Sequence, residues 1–563
     1  MNRQSPATHS NIALLCGLLV ALQPVLAAAE SLSDSSAGGF SSGGSSALLA
    51  PALLEASGAR IGTVTITNGS IFDLENPDEN RALYKLANHL HVTTRPGVIE
   101  QQLLFAEGEP FSVQSLAESE RILRANRYLQ EVSVKPVRQD NGVVDIDVTT
   151  SDVWTLMPKF KLSRSGGANN AAIGAREMNL LGTGIGVEAL YESNVDRDSW
   201  VLKLKDRNLF NSWYGLQLNL TESDDGYSRA LELGKPFYSL DSRAAQGISL
   251  MSKDSIETFY ERGDIAAEYR DQAKAYELYR GWSSGLRHGW TRRFTAGLAY
   301  DEHRFSTVTG SEYPVSVIPM DRQLLTPFIG FEMVQDRYEK SSNYDQINRV
   351  EDCFFGTRLS GRLGVARAGS GSDRDALLLK FGAQTGFGDA QTSSLLLATE
   401  LGSRLEQGGA QNLQLGVSAK YYKNQSEHRR LYLSLGGTYG YNLDLDQFLV
   451  LGGDTGMRGY PLRFQTGDKS LLFTVEQRYF TDWYPFRLFH VGGALFFDIG
   501  RTWGNSPVAD SSKELLSDVG FGLRLGSSRS GLGRVIHVDL AFPLSNSSDI
   551  DGVQFLVSTR KSF

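Results

Sequence analysis

SLLFTVEQRYF, residues Ser470 to Phe480, alternates without a break. Successive side chains of a β-strand point to opposite faces. One face therefore carries Leu471, Phe473, Val475, Gln477 and Tyr479, and the other carries Leu472, Thr474, Glu476, Arg478 and Phe480. A strand that is apolar on one side and charged on the other belongs to a sheet with two different environments.

The neighbouring segments extend this reading. In ALFFDIGRTW, Ala494 to Trp503, Leu495, Phe497 and Ile499 share one face, and Phe496, Asp498 and Gly500 share the other. Glu476 and Asp498 then fall on the same side of adjacent strands and form an acidic patch. The loop GGDTGMRGYPLRF, Gly452 to Phe464, precedes both strands. It is too rich in glycine for a strand, and Arg458 lies at its centre. The planar fork of a guanidinium suits paired hydrogen bonds to carboxylates. Gly456 and Gly459 let the backbone turn and approach the wall closely. Tyr460 is expected to pack on the glycine face made by Gly500 or Gly522.

From Trp154 to Phe563 about 20 segments share the alternating texture, among them IGVEALYES, FTAGLAYDE, LQLGVSAKYY, VGFGLRLG and VIHVDLAF. In water such a pattern is a half-buried sheet; in lipid it is a barrel with an apolar exterior and a wet lumen. Residues 260–280 and 306–323 break the pattern and read as long loops. In VQFLVSTRKSF, Val553, Phe555, Val557 and Phe563 share one parity.

Met1 to Ala29 reads as a secretory signal: Arg3, the apolar run Ile12 to Leu22, then the small residues of VLAAAE. That run is too short to span a membrane comfortably. Residues 30–58 are a Ser/Gly-rich linker with a short helix candidate in SALLAPALLEASG. GFSSG, Gly39 to Gly43, matches a serine-hydrolase pattern, but it lies in low-complexity sequence without the strand–turn–helix that gives the pattern meaning. Cys16 lies in the leader and leaves Cys353 alone, so the mature chain has no internal disulfide. The formal charge of -8 gives no support for nucleic-acid binding. No metal cluster, phosphate loop or catalytic triad is evident, so no cofactor and no enzymatic activity are expected.

Residues 59–151 form a separate mixed region. RIGTVTIT, Arg60 to Thr67, alternates as a strand. PGVIEQQLLF, Pro96 to Phe105, reads as a helix. SVQSLAESERILRANRYL follows as a stronger helix, with Ser112 as N-cap and Leu116, Ser119, Leu123 and Asn126 along one face. EVSVKPV and GVVDIDVTT read as a strand pair. Strand, helix, helix, strand, strand makes a compact α+β module.

This order resembles the POTRA domain of the Omp85 outer-membrane family, with NGSIFDLENPDENRALYKLANHLHVT as extra material after the first strand. GGDTGMRGY resembles the family's loop-6 [VI]RG[FY] motif, with Met457 in place of Val or Ile. TVEQRY resembles its E-x-R strand, FFDIG its F-x-D-x-G motif, and VGFGLRLG the next G-x-G-x-R strand. The resemblance implies a periplasmic α+β POTRA-like module followed by an antiparallel transmembrane β-barrel of 16 strands over residues 154–563. It places Arg458, Gly459, Tyr460, Glu476, Arg478, Asp498 and Gly500 in a luminal latch. It makes Phe555, Val557 and Phe563 part of a C-terminal strand signal read by outer-membrane assembly machinery. The implied activity is assembly or insertion of outer-membrane proteins, or polypeptide translocation. The implied partners are the lipid bilayer, unfolded outer-membrane or secreted clients, the assembly machinery, or a second copy of the chain. The alternative is a passive channel with the module as an anchor or oligomerisation surface.

Overall fold

The computed structural model describes residues 49–165, 167–508, 514–527, 529–531, 535–545 and 550–560. The expected secretory signal, most of the linker with GFSSG, and Phe563 lie outside the described residues.

The N-terminal module is built as its sequence pattern dictates. Helix α1 (Pro51–Ala56) comes from the end of the linker, and Leu54 is its buried anchor. Strand β1 (Arg60–Gly69) follows, then α2 (Ala82–Leu90), α3 (Pro96–Glu100) and α4 (Val113–Arg124). Strands β2 (Leu129–Asp140) and β3 (Val143–Asp152) complete the module. The sheet order is β1-β3-β2, with β1 parallel and β2 antiparallel to the central β3. The Ser112 hydroxyl caps α4 by accepting from the Ser115 amide at 3.3 Å. Leu116, Ser119 and Leu123 are buried along one α4 face, and Asn126, just past the helix end, is buried as well. Leu116 and Leu123 pack beside Ile61, Ile99, Ile146 and Val148, and this apolar cluster holds the two layers together.

Helix α3 is shorter than its periodicity predicts. It stops at Glu100 because side chains take over the following backbone groups. The Gln102 amide donates to the Val98 carbonyl at 2.7 Å, and the Ser119 hydroxyl accepts from the Leu104 amide at 2.8 Å. The extra material after β1 contains α2.

Beyond the module, twenty antiparallel strands among the described residues run from Leu156–Ser165 to Gln554–Arg560 in a circular order, a barrel. The last strand closes on the first, with Val557 paired to Arg164. Twenty strands replace the sixteen implied by family resemblance. The difference arises because segments that resemble loop hairpins pair with both neighbours in the wall. The stretch 260–280, expected as a loop, is wall: Ala244–Glu261 and Asp264–Arg287 pair without interruption from Ala244↔Trp282 to the turn at Glu261↔Asp264, apart from one bulge. Polar residues occupy both faces there, which removes the alternation although the hydrogen-bond ladder continues. The stretch 306–323 is mostly a connection between Trp290–Thr307 and Arg322–Gln335. Two small hairpins stand outside the barrel ladder: Tyr338–Ser342 with Val350–Phe354, and Leu449–Leu451 with Gln465–Gly467.

Side-chain alternation sorts the wall. Leu471, Leu495, Phe521 and Phe555 are exposed on the outside, while Glu476, Phe496, Asp498 and Leu556 are buried inside. No described helix is long and apolar enough to cross a membrane.

Candidate functional site: a buried ionic cluster in the lumen

The strands Lys469–Phe480, Phe489–Trp503 and Leu516–Ser527 are neighbours in the wall. Their register sets Asp498 directly opposite Asp518. Like charges in that position repel, and both side chains are fully buried. The loop Gly452–Phe464 folds back onto this pair. The Arg458 guanidinium donates to Asp498 through Nε at 2.7 Å and Nη2 at 3.0 Å. Its third nitrogen, Nη1, donates to Glu476 at 3.1 Å. The next residue serves the second aspartate: the Gly459 amide donates to Asp518 Oδ2 at 3.0 Å. One dipeptide thus answers both facing carboxylates, by a side-chain fork and by a backbone N–H.

The cluster is closed on every side. The guanidinium of Arg458 stacks on Phe496, 3.4 Å from the ring centroid. Thr474 donates to Asp498 at 2.8 Å. Arg478 donates to the other oxygen of Glu476 at 3.0 Å, and Arg524 approaches Glu476 at 3.6 Å while pairing with Asp539. Removing charges from water is costly unless their geometry and hydrogen bonds compensate, and here each cation touches at least one carboxylate.

Close approach explains the glycines. A Cβ on Gly459 would lie 2.7 Å from Asp518 Cβ and 3.0 Å from the Pro543 nitrogen. Gly456 has φ of +124°, and a Cβ there would strike Leu472. Tyr460 does not pack on Gly500 or Gly522. The space at Gly500 is taken by Met457 and Leu472, and that at Gly522 by Asp539 and Arg524. Instead the Tyr460 hydroxyl donates to the Ser517 carbonyl at 3.0 Å and accepts from the Ser517 amide at 3.0 Å. Its ring is buried beside Phe464 and Leu516. A glycine declares free space but does not declare which side chain fills it.

Of the remaining candidates, Phe555 faces outward on the last strand, and Val557 supplies the closing pair with Arg164. Both are far in sequence from the Arg458 loop and make no contact with its cluster among the contacts above.

Sequence reasoning passed over Asp518, Asp539 and Arg524 as partners, although their parity was readable. Asp518, Gly520, Gly522 and Arg524 share one face of a strand. It also passed over the hairpin at 338–354, whose sequence YEKSSNYDQINRVEDCF carries no periodic signal. The turn of this hairpin, residues 343–349, enters the lumen at the module end. The Tyr344 carbonyl accepts from Arg478 at 3.3 Å, Asp345 accepts from the Tyr422 hydroxyl at 3.0 Å, and Ile347 packs with Phe480, Ala494 and Val535. The hairpin strands bind the module: Arg124 forks onto Asp352 at 2.8 and 3.1 Å, and Lys340 meets Glu120 at 2.8 Å. Away from the cluster the lumen holds a cavity of about 1660 Å³, lined in part by Glu277, Arg362, Lys380 and Glu400.

The fold and site define a barrel protein with an α+β module and an inward loop held by an arginine. Residues 179–560 match the model of the Omp85 superfamily domain, about two-thirds of the sequence, and the chain belongs to that superfamily. No curated protein matches it. Among solved structures it is similar to CdiB from Escherichia coli, with 13% identity over 89% of this chain and 76% of that chain and a TM-score of 0.45. CdiB from Acinetobacter baumannii gives 12% identity over 89% and 73%, with a TM-score of 0.43. BamA from Haemophilus ducreyi lacking POTRA domains 1–3 gives 12% identity over 89% and 84%, with a TM-score of 0.38.

Proposed function

We propose that this protein is a non-enzymatic outer-membrane barrel that assembles other outer-membrane proteins or passes polypeptides across that membrane, with its POTRA-like module in the periplasm. Membership of the Omp85 superfamily supports the general role. The observation that carries the reading is Arg458 docked on Asp498 and Glu476, with Gly459 on Asp518. That contact folds a long loop into the lumen. Gly500 admits Met457, and Arg478 continues the ionic cluster towards the module. The residues of this latch are Arg458, Gly459, Tyr460, Glu476, Arg478, Asp498 and Gly500.

Two features offer unfolded chains a template. The final strand pairs with its predecessor, Val535–Pro543, and closes on the first strand through Val557 and Arg164. A seam of this kind can expose backbone donors and acceptors to an incoming strand. In the module, β2 pairs with β3 alone among the described strands, so its outer edge can receive an extended client. Phe555, Val557 and Phe563 are proposed to mark the chain itself for assembly. Clients, the lipid bilayer and assembly machinery are the partners.

The second reading is a passive channel, favoured by the cavity of about 1660 Å³ that the lumen holds away from the latch. Deleting the gene and comparing outer-membrane and secreted proteomes separates the two. Loss of specific barrel or secreted proteins is expected. Unchanged proteomes with altered solute uptake would replace this reading by the channel.

A further inference from the structure

Helix α2 presents an apolar face that the module does not use. Its inner side packs: Tyr84 stacks on Phe72 with ring centroids 4.4 Å apart, and Asn88 exchanges hydrogen bonds with the Phe72 backbone at 3.1 and 2.8 Å. Leu83, Leu86 and Leu90, spaced three and four residues apart, share the opposite face. All three are more than half exposed.

The barrel turns around this helix repeat the feature by a different device. Leu181, Phe210 and Phe486 sit at turn tips with φ of 52°, 53° and 55°. The left-handed region is uncommon for bulky side chains and marks a local constraint. Each of the three is also more than half exposed, and Trp483 beside Phe486 is too. Turn geometry that is unfavourable for these residues holds large apolar groups in the open.

These groups lie on one arc of the rim. Tyr84 donates to the Phe486 carbonyl at 3.0 Å, on one side of α2. On the other side the Arg95 amide donates to the Gly182 carbonyl at 3.0 Å, and Asn179 donates to Thr94 at 2.7 Å. The turn bearing Phe210 is next along the wall and touches the module through Arg207 and Asn126 at 3.1 Å. The arc lies below the seam, since Trp154, which leads into the first strand, joins the α2 cluster. It also continues the outward apolar face of the wall, because the exposed Tyr479 leads into the turn of Trp483 and Phe486. Arg81, Lys85 and Arg95 are exposed alongside it.

From this arrangement we infer that α2 and the turn tips at Leu181, Phe210 and Phe486 form a phospholipid-binding arc, inserted into the headgroup–acyl boundary of the periplasmic leaflet beneath the seam. An apolar helix face with flanking cations is the form of an interfacial helix. A lipid surface fits because the groups project from separate convex tips and a helix. A polypeptide would need a groove or a free strand edge, and the arc supplies neither. This inference rests on the reading that the barrel spans a membrane.

The test uses the full chain in a Cys16→Ala, Cys353→Ala background, reconstituted into phosphatidylethanolamine–phosphatidylglycerol vesicles with spin-labelled lipids. An environment-sensitive fluorophore is placed by Leu86→Cys, Phe210→Cys, Leu495→Cys or Asn141→Cys. Leu495 reports the outer wall of the barrel, and Asn141 the end of the module opposite Asp152. Leu86 and Phe210 are expected to be quenched about twofold or more by headgroup-proximal spin label, and Asn141 not at all. If Leu495 is quenched while Leu86 and Phe210 behave as Asn141 does, the lipid arc is wrong and the membrane-spanning reading survives. If Leu495 is not quenched by acyl-chain label, the spanning reading fails and takes the arc with it. A Leu86 signal indifferent to lipid label but shifted by a barrel-derived extended peptide would make the arc a client surface and overturn the inference.

Discussion

Two arginines in this lumen have nearly the same immediate chemistry and opposite surroundings. Arg458 lies 3.4 Å over the Phe496 ring and pairs with Asp498 and Glu476. Arg362 lies 3.3 Å over the Phe328 ring and pairs with Glu277 at 2.8 Å. The side chain of Arg458 is 3% exposed and that of Arg362 is 30% exposed. Arg362 faces the open cavity, where water can solvate both partners. Arg458 is sealed by its own loop. The same cation–carboxylate–aromatic unit is therefore a wall charge on one side of the barrel and a structural fastening on the other. Dehydration separates the two roles, because an exposed pair is screened and a buried one leaves a stranded charge when broken.

The largest effect should come from breaking the sealed pair. Arg458→Ala leaves Asp498 opposite Asp518 without its guanidinium partner. Losing one partner of a buried pair costs about 3–5 kcal/mol. Arg362→Ala should cost about 1 kcal/mol, the sum of a screened pair and a partly wet ring contact. Urea unfolding of both variants in the same vesicles measures the contrast. Equal losses would mean that the cluster is wetter than its geometry implies and would remove the distinction between the two walls. Arg458→Lys sharpens the same point, since it keeps the charge but loses the fork.

A smaller effect is expected from geometry alone. Gly459→Ala keeps every charge but puts a methyl 2.7 Å from Asp518 Cβ. Overpacking of this kind costs about 1–3 kcal/mol. The expected signature is a loop more open to protease with the barrel still resistant to heat and detergent. Unchanged protease protection would mean that the wall yields easily at Asp518.

Much of this contrast was legible before any coordinates. Period-2 alternation assigns Glu476 and Asp498 to the lumen because a strand has only two faces. It could not place Asp518 against Asp498, because register across strands is not written in either strand alone. It could not show that Arg362 stays wet, because burial depends on where the loop goes. Alternation also faded along Asp264–Arg287, where polar residues occupy both faces, and the long strand then looked like a loop. In the module, the N-cap Ser112 and the α4 face were readable from local spacing. The end of α3 was not, because a side chain 15 residues away in sequence, Ser119, takes the Leu104 amide.

The smallest effect concerns the hairpin that connects the module to the sealed side. The Glu351 carboxylate accepts from the amides of Tyr344, Asp345 and Gln346, each at 3.0 Å, and so holds the turn that enters the lumen. Burial, reinforced by the neighbouring Asp345 carboxylate, raises this carboxyl from an ordinary 4.5 to about 7, against the lowering effect of the three amides. The folded hairpin therefore holds a proton that the opened hairpin releases. Its contribution to docking is complete below about 4.5 and is lost as pH rises through about 7. Arg349 and Cys353 share this surrounding, so the charge of Glu351 does not act alone. A spin label at Ser342→Cys, at the exposed edge of the turn, should gain a mobile component as pH rises across that window. Glu351→Gln should flatten the profile, because the amide oxygen still accepts hydrogen bonds but does not ionise. The Arg458 cluster should keep its protease protection throughout, which would set a titrating hairpin against a fixed latch. A label that becomes more ordered with rising pH would reverse the sign and show that ionised Glu351, through its three amides, is what keeps the hairpin in place.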